Sequence, residues 1–120
     1  MKEGLEYAIL TDEITRAWAE RSVREYKRFK GLKKENLRDN MTNLELVLNM
    51  LAEASVTEIS RKQKPQGLEN NKRVARAGGI AAKKARLEIE KQTGESVITA
   101  KNANVLKDGR KSQLLGTRKR

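Results

Sequence analysis

KGLKKENLRDNMTNLELVLNMLAEASVTEI, Lys30 to Ile59, brings together a basic glycine turn, a helix-start signal and an apolar run. Its second half decides the fold. Thr42 followed three residues later by Glu45 matches the reciprocal capping box that closes a helix N-terminus. The run it opens contains Leu44, Leu46, Val47, Leu48, Met50, Leu51 and Ala54. On a 3.6-residue period, Asn43, Glu45, Asn49 and Glu53 fall near one narrow polar stripe, which leaves most of the circumference apolar and predicts a central, mostly buried helix. Ser55 with Glu58 matches a further box, so the helix either continues to about Lys62 or restarts near Val56.

Working outward, every other segment also reads as helical. Thr11, Asp12 and Glu13 place a hydroxyl and two acids where free backbone amides favour them, predicting a helix that runs to about Ala19 with Ile14, Ala17 and Trp18 on one face. Ser22 and Glu25 form another box, with Val23, Tyr26 and Phe29 at helical spacing and Gly31 ending the turn. The sole proline, Pro65, lies in the loop signal Gln63-Lys64-Pro65-Gln66-Gly67. From Leu68 to Thr93 the chain is again helix-like, and Gly94 is the expected C-cap. Gly78-Gly79 within it marks a kink, a break or a close helix crossing. Val97-Ile98-Thr99 reads as a short strand, Lys107-Asp108-Gly109-Arg110 as a hairpin turn, and residues 107–120 as a flexible basic tail. The expected organisation is all-α: a helical core over 1–64, a basic helical arm over 65–94 and a basic C-terminal tail over 95–120.

Composition narrows the function classes. The 120 residues suit one domain, and with 37% apolar side chains and 3% aromatic the core is modest. The four aromatics, Tyr7, Trp18, Tyr26 and Phe29, are expected in it. Without cysteine or histidine there is no disulfide, thiolate metal site or imidazole chemistry. No run approaches the roughly 18 apolar residues of a membrane span, and a cytoplasmic location is expected. Asp12-Glu13, Asp39 and Glu88-x-Glu90 have simpler roles as caps or salt-bridge partners than as a metal site, and Gly78-Gly79-Ile80-Ala81-Ala82-Lys83-Lys84 lacks the phosphate-loop spacing. No enzyme activity, metal or cofactor is expected.

The charge is lopsided. Residues 1–60 hold 10 Lys/Arg against 11 Asp/Glu, and residues 61–120 hold 17 against 5. A half-chain this basic attracts polyanions, nucleic acid first among them. On a straight helix Lys72, Arg73, Arg76, Lys83, Lys84, Arg86 and Lys91 share an arc of about 160°, a phosphate-tracking face. Arg110, Lys111, Arg118, Lys119 and Arg120 of the tail complete the expected nucleic-acid contacts. Ile80 and Leu87 fall within the same arc and suggest contact with another apolar surface. Lys27, Arg28, Lys30, Lys33 and Lys34 around Gly31 read as a surface turn balanced by Glu25, Glu35 and Asp39.

The stretch from Lys30 to Thr42, with Leu44-Glu45-Leu46 and Leu51-Ala52-Glu53-Ala54, resembles the C-terminal region of the DNA-damage-inducible protein D family, which overlaps with BRO-type phage antirepressors. Glu6 to Trp18, Gly78-Gly79, Glu88-Ile89-Glu90 and Thr93-Gly94 are similar to the same region, so the likeness covers roughly residues 5 to 105. Full-length members carry a BRO-type N-terminal domain usually credited with DNA binding. This sequence does not include that domain, and its role is not carried over. The resemblance implies an accessory protein of bacterial or phage DNA metabolism that contacts DNA or a nucleoprotein complex. The alternatives are a protein-interaction module that inhibits or derepresses a partner protein, and a homo-oligomerisation domain built on the central helix.

Overall fold

A computed structural model of the chain describes residues 2–103. Four α-helices follow in order: α1 (Lys2–Ala19), α2 (Val23–Phe29), α3 (Asn43–Gln63) and α4 (Gly67–Thr93), with a 3₁₀ turn at Arg38–Asn40. No strand occurs among the described residues, and no described helix is long and apolar enough to cross a membrane. The all-α expectation therefore stands.

The local signals are satisfied where side chains reach free amides. Ser22 Oγ accepts from the Glu25 N–H at 3.0 Å while Glu25 accepts from the Ser22 N–H at 2.7 Å. Thr42 and Glu45 repeat the arrangement at 3.1 and 2.8 Å. Gly94 takes the left-handed conformation that ends α4. Helix α3 runs unbroken to Gln63, so Ser55 does not restart it. The start expected at Thr11 is incorrect. α1 is helical from Lys2, the Thr11 carbonyl accepts from Thr15 Oγ1, and Asp12 spans to the next helix by accepting from the Val23 N–H at 2.8 Å.

Helix α4 packs against both α1 and α3, burying Val74, Ala75, Gly78, Gly79 and Ala82. The glycine pair is a close crossing and not a kink, since α4 continues through it. A Cβ on Gly78 would lie 2.7 Å from the Val56 backbone nitrogen, and one on Gly79 would lie 2.8 Å from the Ile14 carbonyl oxygen. The segment after Pro65, read as an arm, thus forms one wall of the core.

A polar knot closes the other side. Glu45 and Lys30 are fully buried and paired at 2.8 Å. Glu45 also accepts hydrogen bonds from the Tyr26 hydroxyl and from the Thr42 and Thr99 amides. Lys30 Nζ donates to the Lys101 carbonyl at 2.6 Å, and Asn102 Nδ2 donates to the Lys30 carbonyl at 3.1 Å. Breaking such a pair by removing one partner costs about 3–5 kcal/mol, because the other charge is left buried. The expected strand at Val97-Ile98-Thr99 does not form. Val97 and Ile98 are buried, and their neighbouring amides bind carboxylates instead, Val97 to Glu90 at 3.0 Å and Thr99 to Glu45 at 3.2 Å. The turn expected at Lys107–Arg110 lies outside the described residues.

The mostly buried circumference expected of α3 is the largest departure. Its polar residues Glu45 and Asn49 face inward with Leu48 and Ala52, because the knot and the Trp18 indole N–H, 3.2 Å from Asn49 Oδ1, give them partners. Leu44, Val47, Met50 and Leu51 are left 39%, 57%, 49% and 40% exposed.

Both crossing glycines are expected to resist alanine. The substitution adds about 1 kcal/mol of helix propensity, but overpacking against backbone atoms costs roughly 1–3 kcal/mol. Gly79→Ala and Gly78→Ala should therefore each lower the melting temperature, whereas Gly4→Ala, whose Cβ would meet open space, should not. A raised melting temperature for Gly79→Ala would refute the crossing.

Candidate nucleic-acid interface

The seven cations expected to form one phosphate-tracking face on α4 do not share one environment. Arg86 is buried: its Nε donates to the Trp18 carbonyl at 2.8 Å, and its guanidinium pairs with Glu90 and Glu20. Lys83 also reaches Glu20, at 3.4 Å. Arg76 and Lys72 both reach Glu13, at 3.3 and 3.8 Å, and Lys72 is 3.7 Å from Glu69. Arg73 donates to the Gln63 amide oxygen. Four of the seven thus sit in a ladder of ion pairs tying α4 to α1. Arg73, Lys84 and Lys91 stay exposed with no carboxylate partner among the described residues, Arg73 and Lys91 lying 18 positions apart, about 27 Å at 1.5 Å per residue. Ile80 and Leu87 are also exposed. Arg110, Lys111, Arg118, Lys119 and Arg120 lie outside the described residues.

The denser free charge is on α2 and the turn after it. Arg24, Lys27, Arg28, Lys33 and Lys34 make no ion pair among the described residues, although the turn holds acids that looked able to balance them. Two of those acids, Glu25 and Glu35, are engaged elsewhere. Glu25 is held below the ordinary carboxylate range first by the Ser22 backbone N–H that it caps. Glu35 is held low first by the Lys33 N–H, at 2.8 Å, and it also accepts from the Lys34 N–H. Among the described residues, Lys30 alone of this cluster is neutralised, inside the knot.

Arg24, Lys27, Arg28 and Lys33 border an open groove of ≈ 850 Å³ between α1 and α2. Arg16, Arg24, Lys27, Arg28 and Lys33 stand along it, Ala8, Val23 and Leu32 supply apolar surface, and Tyr7 stands at its α1 side. Asp12 also lines it, with one oxygen bound to Arg16 at 2.8 Å and the other to the Val23 N–H. Of the aromatics expected in the core, Trp18 and Tyr26 are there, in an edge-on pair 6.1 Å apart. Burial and the Glu45 carboxylate push the Tyr26 phenol far above its ordinary range, so it donates at any physiological pH. Tyr7 and Phe29 are exposed, which corrects the expectation for those two, and Arg21 covers the Phe29 ring at 4.9 Å.

The α1–α2 groove was legible in part. The basic turn was visible in the sequence, but the capping use of Glu25 and Glu35 was not, and Tyr7 carried no signal separating it from a core aromatic. No group of three acidic side chains able to hold a metal forms among the described residues. Comparison with known proteins gives no match to a family model, a curated protein or a solved structure.

The ion-pair ladder sets a pH dependence. Glu20 is held below its ordinary value, first by its hydrogen bond to Arg86 and further by Lys83. A carboxylate whose folded pKa is depressed contributes stability that is present above its unfolded value and is lost as pH falls through the folded one. Melting temperature should therefore drop from about pH 5 to pH 3, and the drop should be shallower in Glu20→Gln. Superimposable profiles for the two proteins would show that Glu20 adds nothing to the ladder.

Proposed function

We propose that this chain is a non-catalytic nucleic-acid-binding domain whose phosphate-contacting face is the α2 helix and the turn that follows it. The observation that supports this reading is that, among the described residues, Arg24, Lys27, Arg28 and Lys33 have no carboxylate partner beside an open groove, while four of the seven cations of α4 are paired. A paired cation has already exchanged water for a carboxylate, so giving it to a phosphate breaks a contact. An unpaired one gains a contact and releases a condensed counterion from the nucleic acid. The tail cations Arg110, Lys111, Arg118, Lys119 and Arg120 add sequence-independent attraction in the same direction. The resemblance to the DNA-damage-inducible protein D and BRO-type families favours DNA, or a nucleoprotein complex, as the polyanion.

Replacing Arg24, Lys27, Arg28 and Lys33 by glutamine in the full chain should make the slope of log K against log salt shallower by about 3 to 4 on random duplex DNA, at close to 0.9 per phosphate contact. The matched variant with glutamine at Lys72, Arg76 and Lys83 should melt at a lower temperature and change the slope by less than one unit. The reverse pattern, with circular dichroism intact in both, would return the phosphate face to α4.

A second reading rests on a different observation, the exposed row Leu44, Val47, Met50 and Leu51 on α3. Apolar patches of this kind mark protein contacts, and this one suits a partner protein or a second copy of the chain. Val47→Glu with Met50→Glu should leave the helical circular dichroism signal intact, because about half of each side chain is exposed. If the row joins two copies, the same pair should convert a dimer to a monomer in sedimentation equilibrium. An unchanged mass would exclude self-association through this row.

A further inference from the structure

We propose that the α1–α2 groove is a binding site for unpaired bases, so that the ligand of this domain is single-stranded nucleic acid with one base stacked on Tyr7. The inference rests on the reading of α2 as the phosphate-contacting face and deepens it. Tyr7 is 74% exposed, and its ring makes no hydrogen bond or ring contact among the described residues. An aromatic left in water at the edge of a cationic groove offers a base a flat apolar face at little ordering cost, since its position is set by the helix it stands on.

The groove itself separates unpaired from paired strands. Its ≈ 850 Å³ lies within the range of about 300–1,000 Å³ typical of small-ligand sites, and Ala8, Val23 and Leu32 give it apolar surface among the charged groups. A duplex keeps its bases stacked inward and presents only phosphates, so it engages Arg24, Lys27 and Arg28 and leaves this surface wet. A single strand can place its phosphates on the same cations and turn a base inward. A second hollow of ≈ 300 Å³ shares Tyr7, Thr11, Val23 and Lys27 with the first, which gives an adjacent base a place beside the same tyrosine. Phe29, the other exposed aromatic, is covered by Arg21 and is not needed.

The test is fluorescence anisotropy of the full chain with labelled oligothymidylate and oligouridylate strands in separate arms, and a duplex of equal phosphate number in a third. The wild type is expected to bind at least one of the single strands more tightly than the duplex. Tyr7→Ala should weaken binding to that strand about 5- to 150-fold, the loss of one stacked base. It should change duplex affinity less than twofold and leave the salt slope intact, since no charge is removed. Tyr7→Phe, which keeps the ring, should retain wild-type affinity. Alanine favours helix at this exposed position, so circular dichroism should be unchanged. Single-strand affinity within twofold of wild type for Tyr7→Ala overturns the stacking site. If the glutamine variant of Arg24, Lys27, Arg28 and Lys33 then still loses salt slope, the phosphate face survives without it. If that variant also binds as wild type, the underlying reading fails with it.

Discussion

The buried contact between Lys30 and Glu45 is the interaction on which the rest of the structure depends. One carboxylate caps α3 through Thr42, takes the hydroxyl of Tyr26 from α2, and binds the Thr99 amide of the C-terminal segment. Lys30 carries the arrangement on to Lys101. Removing two charges from water costs several kcal/mol per ion, and it is offset here because the carboxylate oxygens are fully used and the ammonium has two oxygen acceptors. No buried side-chain nitrogen or oxygen among the described residues lacks a partner. The knot thereby specifies one arrangement of three segments that carry few apolar residues of their own, which an aliphatic core this small would leave loosely determined.

The knot also sets the orientation of α3. Turning Glu45 inward places Asn49 one turn later on the same face, where it meets the Trp18 indole, and brings Leu48 and Ala52 into the core. The opposite face then holds Leu44, Val47, Met50 and Leu51 by helical geometry alone. The exposed apolar row is a consequence of burying polar groups with strong partners.

Charge is partitioned by the same logic. Seven cations of the second half lie on α4, and α4 crosses α1 closely through Gly78 and Gly79, an approach that brings Glu13 and Glu20 within reach of Lys72, Arg76, Lys83 and Arg86. In the first half, overall near neutral, the acids Glu25, Glu35 and Glu45 bind backbone amides or a buried lysine, and the arginines and lysines of α2 are left without them. Among the described residues, whether a cation is paired therefore depends on which acids the packing brings within reach and not on the net charge of its segment.

Short-range signals were readable from the sequence alone because their physics is local. Ser22 and Thr42 reach amides three residues away, and Gly94 accepts a left-handed backbone at little cost, so α2, α3 and the end of α4 were legible before any packing. The all-α class followed from the same periodicity. Tertiary structure decided what distance along the chain conceals. Residues 19 apart join Tyr26 to Glu45, 54 apart join Glu45 to Thr99, and 66 apart join Glu20 to Arg86. A period of 3.6 identifies which side chains share a face, but the face that turns inward is chosen by the partners it meets. That choice made Glu45 core, Val47 surface and Arg24 a free cation.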